Sequence, residues 1–88
     1  MRETLLQLEA ESTAWVQVPD AEVVSLRPDG RETGVDALRR AIHLGVEANA
    51  DPRRRNFYEV SMGGYRYYFH VSPAHPARVY LLARWPEL

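Results

Sequence analysis

Residues 57–85 read FYEVSMGGYRYYFHVSPAHPARVYLLARW, and their register decides the fold. Two alternating runs flank Gly63-Gly64, and a third follows the Pro-rich stretch SPAHPA. A two-residue Gly-Gly connection selects a type I′ or II′ hairpin. It sets Met62 opposite Tyr65, Ser61 opposite Arg66, Val60 opposite Tyr67, Glu59 opposite Tyr68 and Tyr58 opposite Phe69. One face then holds Met62, Val60, Tyr58, Tyr65, Tyr67, Phe69 and Val71, all apolar or aromatic. A slip of one residue would scatter that set, so the register is well specified. Placing Val71 opposite Val79 extends the pattern: Phe69 meets Leu81, Tyr67 meets Ala83 and Tyr65 meets Trp85. The second face then collects Ser61, Arg66 and Arg84 in one row. Glu59, Tyr68 and Leu82 form the next row, and Phe57, His70 and Tyr80 the last. That face is more apolar than a bare solvated one, and such surfaces often contact something.

Upstream, Thr33–Ala50 reads as the main helix (34–50). Val35, Leu38, Ala41, Ile42, Gly45 and Val46 recur at helical spacing and make one apolar stripe, the natural cover for the aromatic sheet face. Thr33 and Asp36 resemble a capping box, and Asp51-Pro52 stops the helix. Asp36–Arg40 and His43–Glu47 are spaced for pairing on its polar side. Residues 22–26 are β-rich and are bounded by the turn sequence Arg27-Pro28-Asp29-Gly30. Residues 14–18 alternate weakly, as a hairpin partner for 22–26 or an extended lead-in. A short amphipathic helix is expected over 3–11, too short to hold by itself in water. The expected architecture is one α+β domain over residues 1–88. It has two layers: an antiparallel sheet of three to five strands, the 34–50 helix on one face, and the short N-terminal helix.

Composition narrows the function classes. The apolar fraction of 45% and the charged fraction of 26% suit a folded domain rather than disorder. A net charge of -1 gives no overall basic field for nucleic acid, so any such binding needs a local patch. The absence of cysteine excludes disulfides, thiol catalysis and zinc–thiolate sites. With no apolar leader and no stretch of about 20 apolar residues, the chain reads as cytoplasmic, with no membrane association expected.

Several residues are candidates for a site, each with a plainer reading beside it. Arg66 and Arg84, on adjacent strands, would need an anion or a carboxylate between them, and Glu59 lies diagonal to Arg66. The plainer reading is a surface Arg–Glu pair. Arg53-Arg54-Arg55 suits phosphate or an acidic partner, or is a solvated linker. His70, beside Tyr68, Tyr80 and Glu59, has neighbours suited to acid–base work. His43, His70 and His75 lack ligand spacing, so neither a metal nor a cofactor is expected. Trp15 and Trp85 suit either core packing or a partner hot spot.

The run YEVSMGGYRYYFHVSPAHPARVYLLARW resembles the C-terminal meander of the RelE/ParE superfamily of toxin–antitoxin toxins. The matching residues are Tyr58, Val60, Gly64, Tyr65, Arg66, Tyr68, Val71, Val79, Leu81 and Leu82. In the ribosome-dependent RNases of that family, the Arg after Gly-Tyr helps stabilise charge at the scissile phosphate. The resemblance therefore implies that role for Arg66. It covers about a third of the chain. The chain departs from the family in having one good helix rather than a pair. It also carries no further basic residue, Tyr or His after Trp85.

Three functional readings follow. The first is a non-catalytic protein–protein interaction module, working through the second sheet face or an edge strand, with homodimerisation an expected form of it. The second is a toxin-like ribonuclease or RNA-binding relative using Arg66 and Arg84. The third is a small-ligand module with a pocket between helix and sheet lined by Tyr67 and Gly45.

Overall fold

The computed structural model describes residues 13–26, 34–73 and 78–87. The elements are β1 (Thr13–Val16), β2 (Glu22–Ser25), α1 (Val35–Leu44), β3 (Val46–Ala50), β4 (Phe57–Met62), β5 (Tyr65–Ser72) and β6 (Arg78–Pro86). The six strands form one sheet in the order β1-β3-β4-β5-β6-β2. All neighbours are antiparallel except β2 and β6, which run parallel. The α+β class stands, but the sheet is larger than three to five strands and is mixed rather than antiparallel throughout. The helix expected over 3–11 lies outside the described residues, as do Thr33 and His75.

Residues 14–18 do contribute a strand, but β1 pairs with β3 and not with β2. These two short strands sit at opposite edges of the sheet and are joined by residues 17–21 alone. Six Cα steps reach at most about 20 Å. Six flat strands would put their edges about 24 Å apart. The sheet must therefore curl, and it curls around α1. The connection crosses the helix on the way: Val18 N–H donates to the Ile42 carbonyl at 2.8 Å, and Ala21 is buried.

The helix is shorter than the expected 34–50. It stops at Leu44, and 46–50 form β3. Gly45 takes φ 101° and ψ 133°, a positive-φ conformation that favours glycine and turns the chain out of the helix, while its N–H still donates to the Ala41 carbonyl at 2.8 Å. After it, Val-Glu-Ala-Asn-Ala alternates with a period of two, and the period change marks the switch to strand. The Trp15 ring lies against Gly45, where a Cβ would fall 2.2 Å from Trp15 Cζ2. At the other end of α1, Gly34 rests on Arg84 and Tyr67. The helix thus runs across the strands, from β5 and β6 towards β1. Because Glu47 is in a strand, the His43–Glu47 helical pair does not form, and Asp36 pairs with Arg39 rather than Arg40.

The core lies between α1 and the concave face. Leu38, Ile42, Phe69, Val79 and Leu81 are fully buried, with Val16, Val23, Val35, Ala48, Val60 and Tyr67 nearly so. The β4–β5 hairpin has the register dictated by its Gly-Gly turn, with φ positive at both glycines as a type I′ turn requires.

The β5–β6 register begins as expected, with Val71 opposite Val79 and Phe69 opposite Leu81. A β-bulge at Leu82 then changes it. Tyr68 faces Ala83, Tyr67 faces Arg84 and Arg66 faces Trp85. The extra residue reverses the side to which every later β6 side chain points. Ala83 and Trp85 therefore leave the apolar face, and Arg84 enters it.

Candidate interaction face on the outer sheet

The bulge separates the two arginines that were expected to share a site. Arg84 lies on the inner face, its guanidinium 3.7 Å from the Tyr65 ring centroid and 5.6 Å from that of Tyr67. Arg66 stays on the outer face and pairs with Glu59, the diagonal partner that the hairpin register provides. A two-arginine phosphate site across β5 and β6 is thus not assembled. Tyr67 and Gly45, expected to line one pocket between helix and sheet, are not brought together among the described residues. Tyr67 is covered by Gly34 and Gly45 by Trp15, at opposite ends of the helix.

The other candidates on β4, β5 and β6 do come together on the outer face. Phe57, His70 and Tyr80 line up across three neighbouring strands. The Phe57 and His70 rings stack with centroids 4.3 Å apart, and His70 and Tyr80 lie nearly parallel at 6.3 Å. Tyr68 stacks on Phe57 at 5.8 Å. All four rings are half-buried. The single described helix covers the inner face, so among the described residues no helix shields this ladder. His70 is oriented from below, its Nδ1 lying 3.1 Å from the Asn56 carbonyl. That leaves Nε2 as the nitrogen on the ring's far side.

The loop 51–56 borders the ladder and holds the three consecutive arginines. Asp51 Oδ1 accepts from Arg53 N–H at 2.9 Å, and Asp51 Oδ2 accepts from the Tyr68 hydroxyl at 2.6 Å. The Tyr68 hydrogen bond, and then the Arg53 N–H, hold the Asp51 carboxyl below the usual carboxylate range. Burial, reinforced by the Asp51 carboxylate, pushes the Tyr68 hydroxyl up. Asn56 closes the loop at φ 69°, its carbonyl also accepting from Val71 N–H at 2.9 Å. Arg54 sits over the Phe57 ring, 5.3 Å from its centroid. A concavity of about 260 Å³ opens beside it, lined by Asn49, Ala50, Asp51, Pro52, Glu59 and Tyr68.

At the other end of the ladder, Arg78 Nε donates to Glu22 at 2.8 Å. The Tyr80 hydroxyl, together with Glu22, pushes the Arg78 pKa upwards. Further along the same face, Ser61 donates to Glu87 at 3.0 Å and Trp85 is exposed. His43, by contrast, lies off this face and accepts from Asp20 N–H at 3.3 Å. Among the described residues no group of three or more His, Asp or Glu side chains is placed to hold a metal ion. None of the described helices is long and apolar enough to cross a membrane.

No family model, no curated protein and no solved structure matches this chain.

The sequence pattern singled out Arg66, Tyr68, His70, Tyr80 and Glu59, and the structure puts them on one face. The pattern also placed Phe57 in the row of His70 and Tyr80 without naming it as a site candidate, and Phe57 is the ring on which Arg54, Tyr68 and His70 converge. It missed Asp51, which organises the arginine loop. The signal for Asp51 was present, since Asp before Pro at a turn commonly accepts backbone N–H groups two or three residues on.

Proposed function

We propose that the protein is a non-catalytic protein-interaction module whose outer sheet face is the binding surface. The observation that carries this reading is the ladder Phe57–His70–Tyr80 with Tyr68, bordered by Arg54, Arg66 and Arg78. Aromatic rings and arginine are the side chains enriched at interface hot spots, and lysine is depleted there. All eleven basic residues of this chain are arginine. Rings stacked on one another lose little rotamer freedom when a partner lands on them, which lowers the cost of association. The charged groups around the ladder make structural ties: Glu59 to Arg66, Glu22 to Arg78 and Asp51 to Tyr68.

The test is a photo-crosslinking amino acid placed at Ser61, which is exposed on the outer face, and in parallel at Arg40, which is exposed on α1. The reading expects a discrete adduct from position 61 that disappears with Tyr80→Ala, and none from position 40. Equal labelling from both positions would overturn it.

A second reading concerns the β1 edge. Trp15 is 64% exposed and the neighbouring Leu44 is 70% exposed, beside a strand with one hydrogen-bonded neighbour among the described residues. Uncharged edge strands invite pairing with another chain, including a second copy of this one. Light scattering that gives a dimer for the wild type and a monomer for Trp15→Lys supports this reading. A monomer in both cases removes it.

A further inference from the structure

Resting on the reading of the outer face as a protein-binding surface, the geometry points to the partner's chemistry. It is an acidic polypeptide segment that seats an aromatic or apolar side chain on the ladder and its carboxylates on the 51–56 loop.

Three observations carry this inference. First, the charge on the outer face is unevenly compensated. Arg66 and Arg78 are paired with Glu59 and Glu22, whereas among the described residues Arg53, Arg54 and Arg55 form no ion pair and share the field of a single carboxylate, Asp51, which acts on Arg54 and Arg53. All three loop arginines are exposed. Second, the excess positive charge and the ladder share one end of the sheet. Phe57 begins β4, His70 lies near the end of β5, and Tyr80 lies near the start of β6. The loop enters β4 directly at Phe57. A partner covering the rings therefore meets the arginines without a gap. Third, the loop is held in shape before any partner arrives. Asp51 fixes its first turn through the Arg53 N–H, Asn56 ties its last residue to β5, and Arg54 is braced on Phe57. Guanidiniums held in place match the planar fork of a carboxylate and also stack on rings, which a lysine ammonium does not do. Preorganisation of this kind raises affinity by reducing what must be ordered on binding. A single-stranded nucleic acid would also stack on rings. However, Asp51, Glu59 and Glu22 place three carboxylates along the same surface, where a backbone charged at every residue would be repelled, whereas a peptide can confine its carboxylates to the arginine loop and set neutral side chains on the ladder.

The experiment uses the whole chain as bait for a displayed library of random short peptides, with a uridine-rich single-stranded RNA tested in parallel. The expected result is enrichment of peptides combining Asp or Glu with Phe, Tyr, Trp or Leu. Their binding should weaken on raising the salt concentration and fall about tenfold or more in the combined variant Arg53→Ser, Arg54→Ser, Arg55→Ser. Binding should also be lost in Tyr80→Ala. These side chains are on the surface, so the variants are expected to keep the wild-type unfolding curve, and circular dichroism checks this. Enriched peptides that are neutral or basic, lost in Tyr80→Ala but indifferent to the arginine changes, would overturn the acidic-segment inference and leave the outer face as the binding surface. Enrichment indifferent to both sets of changes, or none at all, would overturn the inference and the surface together. Binding of the RNA more tightly than any enriched peptide would overturn the choice of a polypeptide.

Discussion

The Arg84 guanidinium lies 3.7 Å from the centroid of the Tyr65 ring on the inner face of the sheet, one strand over from Arg66 on the opposite face. The two arginines therefore do different work. Arg84 spends its aliphatic stem and its charge on the packing beneath the start of α1. Arg66 spends its charge on Glu59 at the surface. Arg84→Ala should lower stability by about 1–2 kcal/mol, from the lost cation–π contact and the lost stem packing. Arg66→Ala should cost about 1 kcal/mol, the upper end for pairs at a surface, because this pair is half-buried. Urea unfolding of the two variants decides the matter, and a larger loss for Arg66→Ala would contradict this assignment of faces.

The same contact makes Gly34 sensitive to substitution. It sits at φ 89°, and a Cβ there would fall 2.6 Å from Arg84 Cδ and 2.8 Å from Tyr67 Cε2. Gly34→Ala is expected to cost about 1–3 kcal/mol through backbone strain and displacement of these two side chains. Part of that cost belongs to the clash with Arg84. The double variant Gly34→Ala, Arg84→Ala should then be more stable than the sum of the single losses implies. Strict additivity in the cycle would place Arg84 away from Gly34.

How legible each of these features was depended on how local its cause is. The β4–β5 hairpin was readable because Gly63-Gly64 fixes its register on the spot, and because a slip would have exposed seven apolar side chains. The bulge was not, since Leu81, Leu82 and Ala83 are all apolar and nothing in Leu-Leu-Ala says which residue is the extra one. That one residue decided where Arg84 went, and so whether a two-arginine site existed. The end of α1 could have been read from Gly45 and the alternation after it. Val46, however, also continues the helical stripe, and the longer pattern masked the change of period. The pairing of β2 with β6 left no trace in either segment. Glu22–Ser25 and Arg78–Leu81 are brought side by side only by the closure of the whole sheet, a non-local event without a local signature. The outer ladder was readable residue by residue, because Phe57, His70 and Tyr80 all lie on the unbulged part of the sheet.

The core and the outer face should respond in opposite ways to truncation. Phe69 is 0% exposed at the centre of β5, between α1 and β6. Phe69→Ala is expected to cost about 3–5 kcal/mol. That approaches the whole stability expected of a domain this small, so the variant should be largely unfolded at room temperature. Tyr80→Ala, one strand away on the outer face, should keep a cooperative transition near that of the wild type while losing partner binding. Thermal melts followed by circular dichroism separate the two, and a folded Phe69→Ala protein would place the core elsewhere.

The Asp51–Tyr68 hydrogen bond gives the arginine loop a predictable pH response. Asp51 has its pKa lowered in the folded protein, first by the Tyr68 hydroxyl and next by the Arg53 N–H. A carboxyl with a depressed folded value binds fewer protons folded than unfolded at acid pH. Its contribution is therefore complete above the ordinary unfolded value of about 3.9 and is lost as pH falls through the lower folded value. Tyr68→Phe removes the largest cause of the shift and leaves the ring stack in place. Wild type and Tyr68→Phe should therefore differ in unfolding midpoint at neutral pH and converge in acid below about pH 4. At the alkaline end, the raised Tyr68 hydroxyl favours the folded state until pH passes through its folded value, so the two proteins should converge there as well. A gap that stayed constant from acid to neutral pH would mean that the hydroxyl acts through packing alone. The carboxylate would then not be what shapes the loop that presents Arg53, Arg54 and Arg55.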